Sequence, residues 1–152
     1  MYLQLTKPKQ WLFVFVVPLL LVSCHVVLIG AYDETVDESI QKISTDVSTM
    51  IVKIEKNIDD HKPDDNKYEN FRDSYIEIFG EIETLKIRSN SLPKYTKVTE
   101  QVELLYKNIQ DLESLHKIGF TDKKLVETAK GLIEQSLQAM LAAQNALKRE
   151  KS

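Results

Sequence analysis

The chain has 152 residues, 20 Lys and Arg against 23 Asp and Glu, a formal net charge of −3 and one cysteine. That length supplies one domain, the mild acidity argues against nucleic acid as a partner, and a lone cysteine excludes an internal disulfide. The charge is unevenly placed. Residues 1–32 carry only Lys7 and Lys9, and Trp11 to Tyr32 carries no charge at all. Removing those two lysines from −3 leaves −5 on residues 33–152, of which residues 33–65 hold −6 and residues 66–152 hold +1.

The first element is the apolar leader. Lys7 and Lys9 form a basic start, Trp11 to Val22 an apolar stretch, and Ser23 a small residue before Cys24. That order is the pattern of a secretory signal peptide. The tetrapeptide Leu21-Val22-Ser23-Cys24 resembles the lipobox of small bacterial lipoproteins, as does "LIGAYDETVD", an apolar stretch leading into a Tyr-Asp helix start. The resemblance implies that residues 1–23 are a cleaved signal peptide and that the Cys24 thiol carries diacylglycerol and acyl chains. It also implies that residues 24–34 tether an exported helical domain of unsettled function. His25 follows the cysteine, and the family's sorting pattern retains proteins with Asp there in the inner membrane. His therefore implies the outer membrane where the organism has one.

A second reading is an uncleaved transmembrane anchor. Trp11 to Tyr32 is 22 residues, roughly 33 Å as a helix at about 1.5 Å per residue, against a hydrocarbon core of about 30 Å. Trp11 and Tyr32 then stand as interfacial aromatics. Pro18 and His25 fall inside that span and oppose it, since one breaks a backbone bond and the other needs a polar partner. In both readings the basic flank stays in the cytoplasm and the acidic residues Asp33, Glu34, Asp37 and Glu38 lie outside.

Beyond Tyr32, apolar residues recur at steps of three and four, the period of an amphipathic helix. The first stripe runs from Val36 through Ile40, Ile43, Val47, Met50 and Ile54 to Ile58, predicting a helix over 35–60 that Pro63 ends. The second runs from Tyr68 to Leu85, predicting a helix over 66–89 broken at Asn90 and Pro93. The third runs from Val98 to His116, predicting 96–118 with Thr96 or Thr99 as cap, Gly119 as the left-handed closing residue, and the His116 ring at the rim. The fourth runs from Leu125 through Gln144 to Leu147, predicting 122–149 with Thr121 as N-cap. Gly80 and Gly131 interrupt helices and mark either a close helix approach or simple tolerance. The expected fold is all-α: an antiparallel up-down-up-down four-helix bundle over 35–150, preceded by the N-terminal hydrophobic helix.

Four constellations bear on function. Glu113-x-x-His116 is half of a di-iron motif, but no second copy exists, so no metal is expected. Asp59, Asp60, Asp64 and Asp65 lack the Gly and Glu spacing of a calcium loop and read as a solvated turn. Tyr68, Phe71, Tyr75 and Phe79 read as core; an apolar ligand between helices would meet them first. Lys86, Arg88, Lys94, Lys97, Lys148, Arg149 and Lys151 converge on one pole of the expected bundle. Lys94, Lys148, Arg149 and Lys151 are the candidate contacts for anionic headgroups. No nucleophile elbow, phosphate loop or paired catalytic carboxylates occur. The chain is therefore expected to be no enzyme, with no cofactor beyond the acyl chains on Cys24. Membrane lipid and an envelope protein are its expected partners. The expectation is a lipid-anchored, extracytoplasmic binding or structural module. The alternative is a single-span subunit of an envelope assembly, sensor-like or of phage-exclusion type.

Overall fold

A computed structural model describes residues 30–120 and 123–151. Within them the chain is all-helical, with no strand. The helices are α1 (Glu34–Asp59), α2 (Arg72–Ser91), α3 (Thr96–Ile118) and α4 (Lys123–Lys151), and a 3-10 turn (Tyr68–Asn70) precedes α2. Leu21, Val22, Ser23, Cys24 and the cap candidate Thr121 lie outside the described residues.

Helix α1 begins where Asp33 takes extended backbone and its carboxylate accepts the Val36 N–H at 3.0 Å. Glu34 and Asp37 add negative charge at the positive end of the helix dipole. Its end is set before Pro63. The Asp60 N–H closes on the Lys56 carbonyl at 2.8 Å, His61 turns to φ 54°, and the Lys62 N–H returns to the Asn57 carbonyl at 2.9 Å. The second stripe starts as the 3-10 turn rather than as one helix from residue 66. Asn70 anchors it by donating to the Asp64 carbonyl at 2.9 Å, which holds the acidic loop against the helix start. Asn90 does not break α2; the helix runs through it to Ser91, whose hydroxyl caps the Arg88 carbonyl at 2.7 Å.

Neither Thr96 nor Thr99 caps α3. Tyr95 holds the N-cap position without a side-chain bond, and the Thr99 hydroxyl instead donates to Ser89 of α2 at 3.0 Å. Tyr95 wins because its ring is needed in the core, where it is 2% exposed. Gly119 does close α3 with positive φ (98°), a conformation only glycine enters without strain. Its ψ of 133° is extended rather than left-handed helical, and it re-aims the chain away from the helix axis.

The four stripes meet in one core. Ile40, Ile43 and Ile54 from α1, Tyr75 and Ile82 from α2, Leu105 and Ile109 from α3, and Val126 and Ile133 from α4 are all fully enclosed. Burying each such side chain contributes about 1.5–3 kcal/mol, which four helices that are individually marginal in water require. Each helix packs on its sequence neighbours, and α1 packs on α4, closing a ring. Gly80 and Gly131 have open space where a Cβ would stand, so neither marks a close helix approach.

Candidate functional site

One pole of the ring is organised around His116. The side chain is 1% exposed, not at the rim. Its Nε2 lies 2.9 Å from the Asn66 carbonyl and its Nδ1 lies 3.1 Å from the Tyr75 hydroxyl. A carbonyl only accepts, so Nε2 carries the proton and Nδ1 accepts from the Tyr75 O–H. Both nitrogens are thereby committed, leaving no ring lone pair for a metal. Burial pushes the imidazole below its ordinary pKa, against weaker opposing effects of the Asn66 carbonyl and Glu69. Burial also raises the Tyr75 phenol. The rings of Phe71 and Phe120 lie 4.9 and 4.6 Å from the imidazole, centroid to centroid.

Glu113, the other half of E-x-x-H, faces elsewhere. It accepts from the Tyr68 hydroxyl at 2.6 Å and from the Lys117 ammonium at 3.0 Å. Burial pushes its carboxyl up, but those two donors outweigh burial and hold it below the ordinary carboxylate value. Lys117 also stands 4.9 Å over the Tyr68 ring. Of the aromatic stripe, Phe71 and Tyr75 are core, Phe79 stacks at 5.0 Å on Tyr106, and Tyr68 is only partly covered.

Beside Tyr68 and His116 the ends of α1 and α3 and the residues after them border an open cleft of about 630 Å³. Ile58, Pro63, Tyr68, Ile118 and Phe120 supply its apolar wall, and Asn66, Glu69 and three lysines its polar one. The acidic loop does not converge on a single point here. Asp59 pairs with Lys123 at 2.7 Å, Asp60 with Lys56 at 3.2 Å, and Asp64 with Lys67 at 2.7 Å.

The opposite pole receives the N-terminal segment. Gly30 lies so close to Tyr95 that a Cβ would fall on that ring and stand 2.8 Å from the Pro93 carbonyl. The Tyr95 hydroxyl donates to the Ala31 carbonyl at 2.7 Å, and the Tyr32 hydroxyl donates to Asp37 at 3.0 Å beneath the Lys148 ammonium. Tyr32 is therefore an integral part of this pole. Residues 30–33 are non-helical, and the rest of the stretch read as a Trp11–Tyr32 span lies outside the described residues. Of the basic cluster, Arg88 binds Asp33 at 2.6 Å and by that bond depresses the Asp33 carboxyl. Lys86 and Lys97 turn to Glu103 and Glu100. Lys94 holds a positive-φ turn (65°) beside Pro93, Lys148 covers Tyr32, Arg149 is exposed on the last turns of α4, and the Lys151 side chain lies outside the described part.

Sequence patterning missed two features. The first is an acidic trio across α1 and α2, Asp46, Glu77 and Glu81, whose oxygens lie within 4.8 Å of one another. Lys42 sends its ammonium among them, bonding Asp46 at 2.8 Å and also Glu81 and Glu77. Burial raises the Glu81 carboxyl despite Lys42. The internal ammonium already fills the place a cation would take. The second is the cleft, because its walls combine the last turns of α1 and α3 with the residues that follow each, segments that share no periodicity. No described helix is long and apolar enough to cross a membrane. Protein-family models, curated proteins and solved structures each give no match to this chain.

Proposed function

We propose that this chain is a lipid-anchored envelope protein whose four helices, in antiparallel up-down-up-down order, form a non-catalytic module that binds a partner protein. The cross-helix pairs support the order. Asp33 meets Arg88 and Lys42 meets Glu81 between α1 and α2; Thr99 meets Ser89 and Glu103 meets Lys86 between α2 and α3. Asn108 meets Ser136 between α3 and α4, and Asp59 meets Lys123 while Glu55 meets Lys130 between α1 and α4.

The carrying observation is the separation of the two poles. The chain enters the fold clamped on Tyr95, six residues after Cys24. The cleft lies at the far end of the 26-residue α1, about 39 Å away at ~1.5 Å per residue. A tether at one end and an open cleft at the other suit a module held on a membrane and presenting its free pole outward. Lipid on Cys24 supplies one membrane contact, and the apolar residues after it a second; two contacts hold where one is marginal. Lys94, Lys148 and Arg149 stand at the tethered pole, where anionic headgroups would lie.

Intact mass of the protein from the membrane fraction tests this reading. Loss of residues 1–23 with added acyl mass is expected, and Cys24→Ser should release or mislocalise the protein. A full-length chain indifferent to that substitution instead establishes the single-span anchor. The 19 residues 11–29 give that anchor about 28 Å of helix, close to the hydrocarbon thickness.

A further inference from the structure

We propose that residues Gly30 and Ala31 form a releasable strap: the Tyr95 hydroxyl exchanges the Ala31 carbonyl for the side-chain amide of Gln144, so that the chain enters the fold at either of two points. Three observations at the tethered pole point to this device. First, the strap is held separately from the residues that follow it. Tyr95 donates to the Ala31 carbonyl at 2.7 Å, and Gly30 adds contact against the Tyr95 ring and the Pro93 carbonyl. Tyr32 bonds Asp37, and Asp33 bonds both Arg88 and the Val36 N–H. Lifting residues 30 and 31 therefore leaves those later bonds in place and lengthens the tether by two residues, about 7 Å.

Second, a replacement partner already stands beside the hydroxyl. Gln144 is 0% exposed, and neither its Oε1 nor its Nε2 has a hydrogen-bond partner. Its amide lies next to the Tyr95 hydroxyl, where it opposes the rise that burial causes in the phenol pKa. The two groups need no opening to solvent in order to meet. A swing of the O–H about its C–O bond, with a small shift of the amide, turns proximity into a bond to Oε1. Ala31 is exposed, so its released carbonyl passes to water. A buried orphan is relieved in return for the bond given up, which brings the two states close in free energy.

Third, the turn beneath the strap is strained. Lys94 holds φ 65°, a left-handed conformation unfavourable to a residue with a Cβ. Its two neighbours, through the Pro93 carbonyl and the Tyr95 ring, supply the atoms that meet Gly30. Withdrawing the strap removes that contact and lets the turn relax, which favours release. A pull on the tether acts on the Ala31 bond before it reaches Tyr32 and Asp33. The device serves a lipid anchor and a membrane span alike, so it stands apart from how residues 1–29 are processed.

The full chain in detergent micelles provides the experiment. Gly30→Ala places a carbon on the Tyr95 ring and holds the strap off. Its NMR spectrum should show the Gln144 side-chain amide and the Tyr95 ring signals moved from their native positions. In urea unfolding, Gly30→Ala should lower the folding equilibrium constant about fivefold more in a Gln144→Met background than in the native one, because only glutamine is relieved by release. With Tyr95→Phe, which keeps the ring and removes the hydroxyl, that difference should vanish. The proposal is overturned if the Gln144 signals stay in place, if Gly30→Ala costs the same in both backgrounds, or if the coupling survives Tyr95→Phe. Should Gly30→Ala fail to fold, relaxation dispersion on the native chain decides. Ala31 and Gln144 should then exchange at one common rate with a minor state of about 0.1–10%, which Gln144→Met lowers about fivefold. No exchange, unrelated rates, or a population indifferent to Gln144→Met overturns it equally.

Discussion

His116 holds three elements together through two hydrogen bonds, to Tyr75 on α2 and to the Asn66 carbonyl in the acidic loop. Its protonation therefore bears on stability. The folded pKa lies below the ordinary 6.5 because burial penalises the cation, so the unfolded chain takes up a proton first. Stability then falls as pH drops through about 6.5 toward the lower folded value, and is fully present above it. A charged ring also presents a second N–H to the Tyr75 oxygen, which must give up its own donation. Urea midpoints at intervals from pH 7.5 to 5 should decline for the native chain. His116→Gln should be less stable by about 2–4 kcal/mol at neutral pH, since buried partners are left poorly satisfied and volume is lost, and should lose much of that decline. An equal slope in the variant would place the titrating group elsewhere.

Each helix follows from its apolar stripe, and this much was legible from spacing alone: Val36 to Ile58, Tyr75 to Leu85, Val98 to Leu112 and Val126 to Leu147 all face inward. What spacing could not show was depth and partner choice. The last position of the third stripe is polar, and nothing local distinguishes a histidine at the rim from one sealed by Phe71, Phe120 and a loop some 50 residues away. The α3 cap failed for a related reason. Thr99 finds Ser89 across the helix pair, and the buried Tyr95 ring dictates the turn. The cleft and the Lys42 cluster were illegible because both are assembled from segments distant in sequence. Two predictions belong at this scale. Gly80 and Gly131 sit inside helices with nothing near their absent Cβ atoms; Gly80→Ala and Gly131→Ala should each stabilise by up to about 1 kcal/mol, read as additive rises in the thermal midpoint. Gln144 occupies an apolar stripe position, is 0% exposed, and has neither amide atom in hydrogen-bonding geometry although it lies beside Tyr95. Gln144→Met, close in shape, should stabilise α4 packing by about 1–2 kcal/mol, because it removes two unsatisfied buried polar atoms. A loss of stability would reveal a polar contact that Gln144 makes in solution.

For the molecule as a whole, the anchored reading makes the two poles unequal with respect to a bilayer. Six residue steps separate Cys24 from Gly30, a reach of about 20 Å at most. Gly30 is fixed on Tyr95 by lack of room for even one carbon, and Ala31 by the Tyr95 hydroxyl. The pole bearing Pro93, Tyr95 and Lys148 therefore cannot stray far from the acyl chains. The His116 pole adds the length of α1 to that distance when the helix stands off the surface. Vesicles containing anionic lipid and a paramagnetic chelate on a fraction of the headgroups should broaden the NMR or EPR signals of probes at Lys94 and Arg149. Probes at His61, which lines the cleft, and at Lys124, in the first turn of α4, should be spared. Raising salt should weaken the broadening at Arg149 if headgroup charge assists the contact, since exposed charges are screened beyond about 8–10 Å at 0.1–0.15 M. Gly30→Ala provides the internal control. It must push the tether off Tyr95, so it should even out the contrast between poles while the helical content stays unchanged. Equal broadening at both poles in the native chain would mean that the bundle lies along the membrane, and that the cleft is offered to the bilayer's own plane rather than to a partner beyond it.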